Sequence, residues 1–350
     1  MSRTESANTV HPQSGANVGS RITLAHGGGG QLTDDLFTTS ILPRLGNGVL
    51  NELLDSAYLA GAEKLAFTID SYVVQPLKFP GGDIGRIAIS GTVNDLAVCG
   101  AKPLGIALSL ILTEGLERSL LDEILDSIAA TAKEAGVNVV TGDTKVVGRQ
   151  HGDGMYITTS GVGAAGPVRL HPDLVQPGDK IIVSGTIADH GMSVMLAREM
   201  PQVQSVVRSD VAPLNRMIRR LLDEVPGVVF LRDPTRGGLA GVMADLAGRT
   251  QLHIALDESE IPIRPETWHA ADMLGIDPLE VANEGKIVAV VRPAAVEQAI
   301  AMLRSDLHGT NAKVIGTVGA VSDGICELRT SMGGSRILQK PYGEQLPRIC

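Results

Sequence analysis

The segment from Gly166 to Gly178 carries Pro167, Pro172 and Pro177, and it separates two stretches that each alternate strand and helix patterns. Single cores stop growing at about 250 to 300 residues, so a 350-residue chain broken this way is expected to build two. From Leu65 to Gly163 the pattern reads strand, helix, strand, helix, strand, strand, with Leu104–Leu112 as a buried strand. Leu121, Ile124, Leu125, Ile128 and Ala132 form the apolar stripe of the second helix, and Gly136 stops it. Glu117, Asp122, Glu123 and Asp126 lie off that stripe toward the helix start, where its dipole favours acids.

The second half offers strands at Lys180–Ser184, Val228–Arg232, Ile287–Val291 and Val314–Val321. Helices are expected near Met192 and Leu214, from Thr235, and through Ala299, Ile300 and Leu303. Ile325–Leu328 reads as a strand suited to pair with Val314–Val321. The class is α+β, without a short-period repeat. The expected organisation is a disordered tail at 1–20, an N-terminal domain at 21–166, a C-terminal domain at 178–335 and a mobile, extended arm at 336–350. Pro341, Gly343 and Pro347 punctuate that arm, which ends on Cys350.

Lysine and arginine against aspartate and glutamate give 30 − 39 = −9, and aromatics are only 3%, so nucleic acid is not an expected partner. The tail lacks the apolar segment of a signal peptide, and no apolar stretch is long enough to span a bilayer. Three cysteines, Cys99, Cys326 and Cys350, without CxxC spacing argue against a disulfide framework or structural zinc and fit a reducing cytoplasm. Cys99 and Cys326 sit in apolar elements and read as core thiols.

His26-Gly27-Gly28-Gly29-Gly30 follows a short strand pattern and precedes a helix pattern at Leu32–Phe37, so bare N–H groups there suit a phosphate; a flexible linker is the other reading. No Walker lysine follows, which excludes a P-loop fold. Asp70, Asp95, Asp143 and Asp233 each interrupt apolar elements near their ends. Converging carboxylates suit Mg²⁺ carrying a polyphosphate. Capping is the alternative for Asp143 and, before Pro234 and Thr235, for Asp233. Spacing alone favours a surface ion pair for Lys145 and a turn residue for Glu284.

The segments AHGGGG, FTIDSYVVQPLKFPGGDIG, GTVNDLAVCGAKP, VVTGDTKVV, RDPTRGGLA, VANEGK and the terminal PRIC resemble the HypE family of hydrogenase maturation factors, from Ile22 to Cys350. That family is similar to aminoimidazole ribonucleotide synthetase, selenophosphate synthetase and thiamine-monophosphate kinase. The resemblance implies a two-domain PurM-like fold: an N-terminal domain forming a dimeric β-barrel with flanking helices, and a C-terminal α/β sandwich. It implies ATP and Mg²⁺ as cofactors, with Asp70, Asp95 and Asp143 as metal ligands. Nucleotide contacts are implied for Asp70, Asn94, Asp95, Gly142, Asp143, Gly28 and Gly29. Cys350, Lys145 and Glu284 are the implied catalytic residues. The activity expected is ATP-dependent dehydration of a carbamoyl group on Cys350, and the expected partners are a second copy, the carbamoyltransferase HypF and the HypC–HypD complex. A selenophosphate synthetase is disfavoured, because no cysteine lies near the glycine run.

The chemistry of a terminal thiol agrees independently. Residues 336–350 extended reach on the order of 50 Å, at about 3.3 to 3.6 Å per residue, enough to be loaded in one place and processed in another. Dehydrating a thiocarbamate needs a leaving group better than hydroxide, which phosphorylation of the carbonyl oxygen supplies, and a base to take protons from nitrogen. Glu284 suits the base, and Lys145 beside Asp143 suits phosphoryl oxygen or proton relay.

Overall fold

The computed structural model describes residues 21–28, 30–53, 56–340, 346 and 348–350. The expected tail at 1–20 and Gly29 lie outside the described residues. In the N-terminal half, α1 (Gln31–Leu36) and α2 (Leu42–Leu45), joined by a π turn, precede β1 (Leu65–Tyr72) and the small β2 (Lys78–Phe79) and β3 (Gly82–Asp83). Then come α3 (Ile84–Val98), β4 (Ala101–Thr113), α4 (Arg118–Ala135), β5 (Val139–Val147) and β6 (Met155–Ala165). The predicted apolar stripe of α4 is buried, and Gly136 ends the helix in the left-handed region at φ 73°.

The four strands run β1-β6-β4-β5 and leave β1 and β5 as open edges. The expected barrel is therefore not closed within one chain. Helices α3 and α4 cover one face, while the other presents Leu65, Phe67 and Ile69 of β1, each more than half exposed. Helix α3 is buried almost all round, because the sheet, α4 and the C-terminal half pack against its different sides.

The second half contains β7 (Lys180–Val183), α5 (Asp189–Glu199), α6 (Asn215–Glu224), β8 (Val228–Arg232), α7 (Gly238–Thr250), β9 (Leu252–Asp257) and α8 (Pro265–Leu274). It continues with β10 (Val288–Val291), α9 (Val296–Arg304), β11 (Lys313–Val321), β12 (Cys326–Arg329) and β13 (Ser335–Leu338). Seven strands form one sheet in the order β13-β12-β9-β11-β7-β10-β8. Alternate strand residues divide between its faces, as a period of two requires. Ile181 and Val183 pack toward α7, and Ile182 toward α6 and α9.

The sequence expectation fails at three places here. Ile325–Leu328 does not pair with β11; β12 lies parallel to β9, a strand the pattern did not reveal, and antiparallel to β13. The helix expected from Thr235 begins at Gly238, because Gly237 and Gly238 take positive φ, and a Cβ on Gly238 would lie 2.5 Å from the Leu279 carbonyl. The arm expected to start at 336 begins inside β13, so Arg336–Leu338 belong to the sheet. No helix among the described residues is long and apolar enough to cross a membrane.

Helices α5 and α8 reach across the interface: Met192, Val194, Leu196, Ala270 and Ala271 share one core with α3, α4 and Ile349 near the chain end. The seam between the halves is thus apolar and continuous with the N-terminal core, and the chain terminus is part of it.

Candidate active site

The loop 283–286 is fixed at every residue. Asn283 accepts from Ala188 N–H at 2.7 Å and donates to the Pro234 and Val281 carbonyls. Glu284 N–H donates to Asp210 Oδ1 at 3.2 Å. A Cβ on Gly285 would lie 1.7 Å from the Asp210 carbonyl oxygen, so only glycine permits this approach. Lys286 Nζ meets Asp210 Oδ2 at 3.2 Å, and both side chains are buried. The loop points the Glu284 side chain into a space also lined by Asp70, Asp95 and Asp233.

Four carboxylates at element ends cannot all ionise cheaply without solvent. Burial, then the Asp95 charge, raises Asp70 to about 6. Burial, again with Asp95, raises Asp233 to about 7. Glu284 is pushed well above the carboxylate range by burial first and then by Asp233, Asp210, Asp70 and Asp95. Thr68 Oγ1 donates to Asp95 Oδ2 at 2.6 Å. The cation at the mouth is Arg236, mostly exposed, 3.9 Å from Asp70.

Into this cluster comes the chain terminus. Val73 N–H donates to a Cys350 terminal carboxylate oxygen and Gln75 N–H to the Arg348 carbonyl, both at 3.2 Å, so the end pairs with the segment after β1 as a short strand would. Arg348, at φ 59°, pairs with Asp153. That guanidinium, with the Tyr156 hydroxyl, holds Asp153 below the usual carboxylate range. The Cys350 thiol faces Glu284; burial first, and then the Glu284 charge, raise its pKa far above that of a free thiol. Docked, it is a thiol and not a thiolate.

Asp70, Asp95, Glu284 and Cys350 of the sequence reading therefore meet. Asp143 and Lys145 do not join them within one chain. Ser71, Thr158, Ser109 and Asp143 form one row across the sheet, so Asp143 shares a face with Ser71 and lies on the face opposite Asp70. It is also three strands away, roughly 14 Å at about 4.8 Å per strand. Both side chains are exposed and pair with each other at 3.1 Å. Asn94 is engaged otherwise than expected: its amide donates to the Ala212 and Glu284 carbonyls and accepts from Leu214 N–H, clamping the two halves together.

Gly142 is required by the strand, since a Cβ there would lie 2.4 Å from the Leu108 carbonyl. The glycine run follows a 3-10 turn (Leu24–Gly27), not a strand, and Gly27 abuts Val146 of β5, the residue after Lys145. Cys326 is buried as expected, but Cys99 is exposed at the end of α3. Sequence reasoning missed Asp210, Arg236 and His190. Arg236 stood in the quoted run RDPTRGGLA, whereas Asp210 had no local signal.

No three acidic, histidine or cysteine side chains among the described residues are grouped as a complete metal cage. Asp70 and Asp95 nonetheless offer hard oxygens at one place, and Mg²⁺ is usually held by one or two carboxylates together with substrate phosphates. The donor set fits an ion that arrives with a nucleotide.

Residues 54–165 match the N-terminal domain of the AIR synthase related proteins, and residues 176–328 match their C-terminal domain. Carbamoyl dehydratase HypE of Rhodobacter capsulatus is 44% identical over 334 residues, covering 94% of this chain and 98% of that protein. A crystal structure of hydrogenase maturation protein HypE in complex with ATP superposes with a TM-score of 0.89 at 40% identity, covering 94% of this chain and 99% of that one. The structure of a HypE–HypF complex matches at a TM-score of 0.76 and 40% identity, covering 89% and 100%.

Proposed function

The chain belongs to the HypE family of carbamoyl dehydratases, and from that premise we propose that it uses ATP to dehydrate a carbamoyl group carried on Cys350. The product is a thiocyanate, the source of cyanide ligands for the iron of a nickel–iron hydrogenase. The observation that carries this reading is the contact between the Cys350 thiol and Glu284 inside a cluster of carboxylates.

The thiocarbamate oxygen attacks the γ-phosphorus of ATP; the new O–P bond forms as the bond to ADP breaks. One N–H proton is lost at this stage. Loss of the second proton and cleavage of C–O then release phosphate and leave S–C≡N. Glu284 is the base, and its raised pKa makes its carboxylate a stronger one. Arg236 at the mouth, beside Asp70, faces the phosphoryl oxygens.

Asp70 and Asp95 would hold Mg²⁺, which supplies charge neutralisation during phosphoryl transfer. Asp143 and Lys145 come from a second copy. Two four-stranded sheets with open edges and one apolar face each close into a barrel by pairing β5 of one with β1 of the other. Lys145 lies in the row of Tyr156, which extends toward Val73, so this pairing delivers Lys145 and Asp143 to the end of β1 where Cys350 docks. Gly28 follows with β5. HypF as carbamoyl donor is supported by the complex formed by a structural relative. Transfer to HypC–HypD and a cytoplasmic location rest on the family resemblance.

Mass spectrometry of the C-terminal peptide tests this. Given a carbamoyl donor system and ATP, Cys350 is expected to gain one carbamoyl and then lose one water. Loss of water without ATP, or on a Cys99 or Cys326 peptide, would overturn it.

A further inference from the structure

We propose that His190 is a positioning residue that fixes the chain end in the site by reading its main chain. The proposal deepens the assignment of Cys350 as the carrier. His190, in the first turn of α5, is fully buried and stands edge-on to Phe79, with ring centroids 5.4 Å apart at 82°. Its Nε2 lies 3.0 Å from the Ile349 carbonyl oxygen, and its Nδ1 lies 2.8 Å from Ser209 Oγ.

These contacts fix the tautomer. A carbonyl only accepts, so Nε2 carries the hydrogen. Val211 N–H donates to Ser209 Oγ at 3.1 Å, which leaves the serine proton free to point at Nδ1. Burial favours the neutral ring that this arrangement needs. Ser209 is itself held, because its N–H donates to the Pro80 carbonyl at 2.8 Å and Gly81, at φ 99°, leaves no room for a side chain against it.

The Arg348 carbonyl and the Cys350 main-chain carboxylate point to the segment 73–75, and the carbonyl of Ile349, between them, points the other way to His190. All three are thus engaged, and none of these bonds involves a side chain of the terminus. The sulfur is free to be a thiol, a thiocarbamate or a thiocyanate without disturbing the grip. Asn283 ties the grip to the chemistry, since it binds Ala188 N–H just before α5 and is the neighbour of Glu284.

Alkylation of Cys350 by N-ethylmaleimide in the otherwise unmodified, nucleotide-free protein, read by peptide mass spectrometry, tests this without any carbamoyl chemistry. Failure of the dehydration reading therefore leaves this result untouched, and the converse holds. His190→Ala is expected to raise the rate at Cys350 about tenfold by removing a buried hydrogen bond. His190→Gln, whose amide N–H reaches the same carbonyl, is expected to stay within about twofold of the parent. Cys99 and Cys326 should react as before. A folded His190→Ala protein with the parental Cys350 rate overturns the proposal, as does a His190→Gln protein as reactive as His190→Ala. Where His190→Ala exposes Cys326 too, Ser209→Ala decides: a rise confined to Cys350 supports the role, and no rise overturns it.

Discussion

The thiol of Cys350, the last residue of the chain, faces Glu284, whose loop is held from behind by Asp210 and Asn283. A side chain at a terminus is ordinarily the least constrained in a protein. Here it meets one of the most constrained.

Cys350→Ala is expected to abolish dehydration while ATP affinity and melting temperature stay near the parent, with a stability change of about 1 kcal/mol or less. Calorimetry with ATP and thermal denaturation check the two unchanged quantities. Full hydrogenase maturation by this variant would remove Cys350 from the reaction.

Glu284→Gln keeps the volume but takes no proton. ATP binding should persist, and single-turnover thiocyanate formation should fall about 10²- to 10⁴-fold, the usual weight of a general base. A normal rate would assign the proton to another group.

Asp95→Ala and Asp143→Ala should each weaken Mg²⁺-dependent ATP binding. Because these residues lie on opposite faces of one sheet, mixing the two inactive variants is expected to restore activity in mixed dimers, to about a quarter of the parental level for random two-fold pairing. No recovery on mixing would place the whole site within one chain.

The raised carboxylates give stability a pH slope of definite sign. Asp233 and Asp70 move from 3.8 to about 7 and about 6 on folding, so between these limits the folded state binds more protons. Stability therefore falls as pH climbs from about 4 to about 7, by up to roughly 1.4 kcal/mol per unit for each such group. The nucleotide-free protein should melt higher at mildly acidic than at mildly alkaline pH, and Asp233→Asn should flatten that dependence. A slope unchanged in the variant would contradict the assignment.

Lys286→Met leaves Asp210 buried without its cation, at an expected cost of about 3 to 5 kcal/mol. Adding Asp210→Asn should return much of it, because the uncompensated charge is then gone. Urea denaturation of the two variants gives the comparison directly; equal stability of both would mean that the unpaired Asp210 charge is not the source of the loss.

The acids at element ends and the terminal cysteine were legible because a carboxylate inside an apolar run and a thiol on the last residue are local features. The face on which Asp143 stands was not, since it depends on the register of four strands, each shift of one residue reversing every side chain. The same non-locality hid the partner of β12: β9 interleaves His253 and Asp257 with its apolar residues and pairs across a long stretch of chain. Asp210 reads as an ordinary loop acid until the fold sets it against Lys286.

Residues 339–347 join two anchors, Leu338 buried in β13 and Arg348 against Gln75 and Asp153. A connection of this kind acts as a tether that holds its cargo at an effective concentration of about millimolar. A free peptide ending in Pro-Arg-Ile-Cys would have to be supplied at that level to compete for the groove. Deletions that leave the span unbridged should be fatal. A few inserted residues should cost little, because closure entropy grows only with the logarithm of the connection's length, about 0.6 kcal/mol per doubling.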